Sequence, residues 1–256
     1  MASSRLIIVN ADDFGMSSSV NQAVFLAFKN NWITRASIMA NMPGFEEACE
    51  IGRGHGWTSR IGLHLNLSEG RPLSSRVASC ARFCDEAGFF RPRRRVFQLS
   101  VDERRAAQEE FQAQIDALVA RRIQPSHLDS HNHYHTEWPI GTIAIRIAER
   151  NGIRSIRLTR NSGPRIDPVK ELYKTLFNAR LRRRGLAAVR YFGSIDDVSS
   201  VLASCTLPVE VMIHPRVRAD GLVTDMDGTE ELSLLLKRAG LLGGARGYPE
   251  EPQYCI

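Results

Sequence analysis

The chain has 256 residues, 43% of them hydrophobic, which suffices to bury the core of one domain over residues 1–256 and is an ordinary length for an α/β barrel. Its formal charge of +6 comes from arginine, 30 of the 34 basic residues, densest at Arg91-Pro92-Arg93-Arg94-Arg95 and Arg180-Leu181-Arg182-Arg183-Arg184. No aromatic-and-basic, helix-turn-helix or zinc-finger pattern accompanies these runs, so they read as solvated faces and no nucleic-acid partner is expected.

Taken in order, Leu6 to Val9 is too short for a signal-peptide core or a membrane span, which predicts a cytoplasmic protein. This aliphatic run reads as a buried parallel strand leading into Asn10-Ala11-Asp12-Asp13-Phe14-Gly15. Two adjacent carboxylates at a strand exit repel one another and resist burial, so they are expected to bind something. A helix follows on Val20, Ala23, Val24, Ala27 and Phe28. Ala36–Asn41 reads as a second strand and Phe45 to Ile51 as part of a helix. Ile61-Gly62-Leu63-His64-Leu65-Asn66-Leu67 alternates, with His64 on the polar face. Residues 70–99 form a long irregular loop suited to a substrate wall.

Ser100-Val101-Asp102-Glu103 has capping-box spacing and opens a helix to about Arg122. Next comes His127-Leu128-Asp129-Ser130-His131-Asn132-His133-Tyr134-His135, which holds four of the seven histidines. Where this segment is extended, imidazole, carboxylate and imidazole share one face, a set suited to divalent ions and to proton transfer. Ile140–Arg150 reads as a helix and Ile153–Leu158 as a strand. Asp167-Pro168 opens a helix expected to bury Val169, Leu172, Tyr173, Leu176 and Phe177. Val189–Gly193 reads as a strand, and Pro208–Pro215 as another whose exit carries His214. A last helix runs through Leu232, Leu235 and Leu236, and the Gly/Pro-rich tail from 243 is expected to be loosely ordered. The scattered Cys49, Cys80, Cys84, Cys205 and Cys255 read as reduced thiols.

This alternation predicts a parallel α/β fold, an incomplete or distorted (β/α) barrel, whose strand ends converge on one face. One aspartate and two histidines would make a three-ligand metal site with room for water and substrate. The second aspartate could take a proton from the water, and a histidine from another strand could protonate the leaving group. That combination points to metal-assisted hydrolysis of an amide or ester. A phosphoesterase and a barrel-scaffold protein binding an anionic saccharide or nucleic acid are the alternatives.

The motifs at residues 10–15, Gly62-Leu63-His64, 127–135 and Met212-Ile213-His214-Pro215 together resemble, in order and spacing, the YdjC-like carbohydrate deacetylases. The resemblance spans about residues 5–215 and leaves the 70–99 loop and the tail outside. It implies a distorted (β/α) barrel, one divalent ion (Mg²⁺ or Zn²⁺), and hydrolysis of an N-acetyl group on an N-acetylglucosamine-containing saccharide or glycolipid, releasing acetate. Carried over by position, Asp13, His64 and His131 would hold the metal, Asp12 would be the general base and His214 the general acid or oxyanion partner. Arg157 would contact substrate or orient the base, and His133 and His135 would support the site or touch the sugar. Adjacent carboxylates titrate as a pair, so the sequence leaves open which aspartate is base and which ligand. It leaves a homodimer open as well.

Overall fold

Short aliphatic runs separated by amphipathic helices become six parallel strands in the computed structural model, which describes residues 6–242 apart from 93–94, 165–166, 205–206 and 227. The strands are β1 (Ile7–Phe14), β2 (Arg35–Ile38), β3 (Ile61–Leu65), β4 (Leu128–Ser130), β5 (Tyr191–Gly193) and β6 (Val209–Ile213). Backbone pairing orders them β4-β3-β2-β1-β6-β5, with β4 and β5 as ends, so the expected barrel is incomplete. Contacts group the chain into two units of interleaved segments: residues up to Asp12 with Gln22–Arg35 and everything from Arg157, and Asp13–Asn21 with Ala36–Ile156. Among the described residues no helix is long and apolar enough to cross a membrane.

In the first unit, β1 pairs with β6 from Ile7↔Val209 to Ala11↔Ile213, and β6 pairs with β5. Ile8, Val9, Ala11, Val209, Val211 and Ile213 are all buried, which is why β1 and β6 are rich in aliphatic residues. The helix over Pro168–Arg183 starts where expected, with the Asp167 carboxylate accepting from the Val169 and Lys170 amides. Its inward face differs from the expected one. Phe177, Asn178 and Leu181 are buried, whereas Val169, Leu172 and Leu176 are 77%, 60% and 53% exposed. A polar anchor decides the matter: Asn178 Oδ1 accepts from the Thr159 amide (2.8 Å) and hydroxyl (3.0 Å), and its Nδ2 donates to the Thr159 carbonyl. Hydrophobic periodicity does not count such an anchor.

In the second unit, β2, β3 and β4 pair in parallel, and His64 on β3 lies directly opposite Asp129 on β4. The segment expected as a strand at Ile153–Leu158 contributes one parallel bridge, Ile156 to Leu128. The helix over Val101–Ala120 begins with a complete capping box, Ser100 Oγ accepting from the Glu103 amide and the Glu103 carboxylate from the Ser100 amide. It packs on the helix over Trp138–Arg150, and Gln112 and Asn151 exchange side-chain hydrogen bonds between them. The described residues of the 70–99 segment are irregular as expected, apart from one helical turn at Ser75–Ala78 and a bridge from Cys84 to Phe90. Its start is pinned by the buried Glu110 carboxylate, which accepts from the Leu73 and Ser74 amides.

The His-rich segment is extended only to Ser130. Residues His131–Thr136 coil into 3₁₀ turns, with Asn132 and His133 at φ 54 and 56, so the period-two face stops at His131. Of the cysteines, Cys49, Cys80 and Cys84 are free thiols, and burial pushes Cys49 up to about 12 and Cys84 up to about 11. Cys205, Cys255 and the tail from 243 lie outside the described residues.

Gly62 has a packing reason. A Cβ there would stand 2.5 Å from the buried His127 ring, whose Nδ1 is 2.9 Å from Ser126 Oγ. Gly62→Ala should therefore cost about 1–3 kcal/mol by overpacking, read as a lower urea midpoint; an unchanged midpoint would show that the ring can move aside.

Candidate functional site

The second unit gathers Asp13, His64 and His131 around one point. Asp13 sits near the end of β1 but at φ 62, so it breaks the strand's alternation, and its side chain is 6% exposed. Its Oδ1 lies 3.2 Å from His64 Nε2 and 2.9 Å from His131 Nδ1. Burial alone would push the Asp13 carboxyl up, but hydrogen bonds from His131 and His64 outweigh it and hold the group well below the usual carboxylate range. One donor atom from each of the three residues falls within a 4.8 Å cluster. Two imidazole nitrogens and a carboxylate oxygen are the donor types of a catalytic divalent site with open positions, so the residues fit such an ion.

Behind this set, His64 Nδ1 is 2.7 Å from Asp129 Oδ1, a pairing supplied by the β3–β4 register. Ser37 on β2 donates to the other oxygen of Asp129 at 2.8 Å. A carboxylate on the far nitrogen of a ligating imidazole fixes its tautomer and ring orientation. His131 Nε2 is 3.0 Å from Glu69. His135 is fully buried, with Nδ1 2.6 Å from Ser130 Oγ, and the half-buried His133 ring lies edge-on to it at 6.4 Å.

The first unit holds a second ionisable network. The buried Arg157 guanidinium clamps Asp12, Nη1 to Oδ2 at 2.6 Å and Nη2 to Oδ1 at 2.7 Å, while Asn10 Nδ2 donates to Oδ1 at 2.8 Å. Arg157 Nε donates to Glu210 at 2.6 Å, and the guanidinium carbon lies 4.9 Å from the centroid of the Phe192 ring. His214 Nε2 stands 3.9 Å from Asp12 Oδ2. The His214 amide donates to Asp225 at 2.6 Å, and burial pushes the Asp225 carboxyl up.

The structure thus brings Asp13, His64 and His131 together in one unit, and Asp12, Arg157 and His214 in the other. Sequence reasoning gave no part to Glu69, Glu210 or Asp225. Glu210 had a signal, because a lone carboxylate inside the aliphatic Val209–Ile213 strand requires a buried cation. Glu69 and Asp225, each in a polar surrounding sequence, had none.

The family model described as YdjC-like protein matches residues 6–240, beyond the span carried by the motifs. The chain belongs to the YdjC-like family. Among curated relatives it is 34% identical to a carbohydrate deacetylase of Geobacillus stearothermophilus over 82% of this chain and 79% of that one. It is 30% identical to a carbohydrate deacetylase of Brevibacillus brevis over 90% of this chain and 89% of that one. A crystal structure from Enterococcus faecalis V583, provisionally named a cellobiose-phosphate cleavage protein, superposes with a TM-score of 0.70 at 22% identity, covering 94% of this chain and 97% of that one. At that identity the likeness speaks to the fold, and it agrees with the parallel α/β architecture of this YdjC-like chain.

Removing the cation from a buried carboxylate network leaves charges without a partner. Arg157→Ala should lower unfolding stability by about 3–5 kcal/mol in urea titration, and Arg157→Lys, which lacks the planar fork, should recover only part. A loss under about 1 kcal/mol would show that Asp12 and Glu210 tolerate burial without it.

Proposed function

We propose that this YdjC-like protein hydrolyses the N-acetyl group of an N-acetylated saccharide, releasing acetate, with a divalent ion held by Asp13, His64 and His131. The observation that carries the reading is the convergence of those three donors on one point in a family whose curated relatives are named carbohydrate deacetylases. Two nitrogen donors and one oxygen donor favour Zn²⁺ over Mg²⁺, which prefers an all-oxygen octahedron. When bound, such an ion supplies Lewis acidity, polarising an acetyl carbonyl and making water acidic enough to attack near neutral pH.

The remaining steps fall to the protein's own side chains. Asp12 takes the proton of the attacking water; Arg157 and Asn10 fix its carboxylate, so its orientation is set before substrate arrives. As the amide C–N bond breaks, His214 gives a proton to the departing sugar nitrogen, and Asp225 holds His214 through its main-chain amide. His135, buried on Ser130, supports the turn that presents His131, and His133 at the same turn is the better candidate for sugar contact.

The purified protein should release acetate from N-acetylated chitooligosaccharides when Zn²⁺, Co²⁺ or Mg²⁺ is supplied, and lose that activity to a chelator. Asp13→Ala should abolish both tight ion binding and turnover. Asp12→Asn and His214→Ala should keep the ion while lowering kcat by about 10²–10⁴-fold, the range for a lost general base or acid. Chelator-resistant acetate release would remove the ion from the reading, and an undiminished kcat in either of the last two variants would remove that residue.

A further inference from the structure

Both imidazoles that face Asp13 have a carboxylate at the other ring nitrogen, but the nitrogens are reversed between them. His64 turns Nε2 to Asp13 and Nδ1 to Asp129. His131 turns Nδ1 to Asp13, at 2.9 Å, and Nε2 to Glu69, at 3.0 Å. A neutral imidazole has one N–H and one lone pair, and an acceptor at one nitrogen selects the tautomer that frees the lone pair of the other. We propose that Glu69 is a positioning residue that accepts the Nε2–H of His131, so that His131 offers Nδ1, and His64 offers Nε2, to the ion beside Asp13. This rests on the reading of Asp13, His64 and His131 as the ion-binding set.

Glu69 stands where it does because its backbone is built in. Its amide donates to Asn66 Oδ1, and its carbonyl accepts from Asn66 Nδ2 at 2.7 Å and Asn41 Nδ2 at 2.9 Å. Asn66, just past β3, is fixed in turn by Gln114, which is buried in the Val101–Ala120 helix. Gln114 Oε1 accepts from the Asn66 amide at 3.0 Å, and Gln114 Nε2 donates to the Asn66 carbonyl at 2.7 Å. A strand end, an Asx turn and a buried glutamine therefore fix the Glu69 Cα, while its side chain remains 46% exposed. The Asp129–His64 arm is sealed from solvent, at 0% and 2% side-chain exposure, and the Glu69–His131 arm is the open one.

A surface Glu–His pair with no part in holding an ion would contribute little to stability or binding. Full-length Glu69→Ala and Glu69→Gln proteins separate the two cases. Zn²⁺ affinity would be measured by competition with a chromophoric chelator, and the His131 ring by ¹⁵N NMR of the Zn²⁺-loaded wild type. Glu69→Ala should weaken Zn²⁺ binding about 10–100-fold, the usual effect of removing a carboxylate behind a ligating histidine. Glu69→Gln, which keeps an acceptor oxygen, should recover most of that, and melting of the metal-free protein should not move. The ¹⁵N shifts should show His131 metallated at Nδ1 and protonated at Nε2. Unchanged Zn²⁺ affinity in Glu69→Ala, or metallation at Nε2, would overturn the assignment of Glu69 alone. A wild type that binds no Zn²⁺ would overturn the ion-binding reading, and this inference with it.

Discussion

Buried negative charge is the constraint on which most of this structure turns. Asp12, Asp13, Asp129, Glu110 and Glu210 are all nearly sealed from solvent, and an unmatched carboxylate in such a place costs several kcal/mol. Each is answered by donors from distant parts of the chain: Asp12 and Glu210 by Arg157, Asp13 and Asp129 by imidazoles, Glu110 by the Leu73 and Ser74 amides. Within each unit these matches fix relative positions more sharply than aliphatic packing can, because a hydrogen bond tolerates a few tenths of an ångström where apolar contact tolerates more. The β3–β4 register illustrates it. A slip of one residue would carry Asp129 away from His64 and turn Leu128, the aliphatic residue of β4, onto the other face.

The parts legible in the sequence are those governed by local rules. Alternation in Ile61–Leu67 placed His64 on the face that meets Asp129, and capping chemistry located the helices that begin after Ser100 and Asp167. The parts that were not legible depend on partners far away in the chain. Periodicity chose Val169, Leu172, Tyr173, Leu176 and Phe177 as the buried stripe of their helix; of these Phe177 is buried, and the Asn178–Thr159 bonds turn the helix so that Phe177, Asn178 and Leu181 face inward. The regular spacing of His127, Asp129, His131, His133 and His135 suggested one continuous face. Two residues at positive φ bend the chain after His131, so only the first part of the pattern acts as a strand. Residue types unusual at strand exits singled out the Asp12–Asp13 pair, His64 and the 127–135 segment, and only the resemblance to the YdjC-like family picked Asp13, His64 and His131 from among them. Glu69 could not be named from sequence, since its role depends on Asn66 and Gln114 holding a turn that is invisible in the local sequence.

Backbone strain gathers around the same two networks. The described non-glycine residues at positive φ are Asp13, Asn31, Arg122, Asn132, His133 and Met226. Asp13 itself faces the two imidazoles, Asn132 and His133 follow His131 directly, and Met226 follows Asp225, which holds the His214 amide. Four of these six therefore lie at or beside residues of the two networks, although each costs of order 1–2 kcal/mol relative to ordinary backbone. Such conformations persist only where the surroundings over-determine them, and around Asp13 they do. The Met16 amide donates to the Asp13 carbonyl at 2.9 Å, the Gly15 amide to Asn21 Oδ1 at 2.8 Å, and the Met39 amide to the Phe14 carbonyl at 2.7 Å. Asn21 is held in turn by the Gly44 carbonyl and Glu47. Strain held at Asp13 by a dedicated set of bonds accords with the role proposed for it, the presentation of one carboxylate oxygen to a ligand.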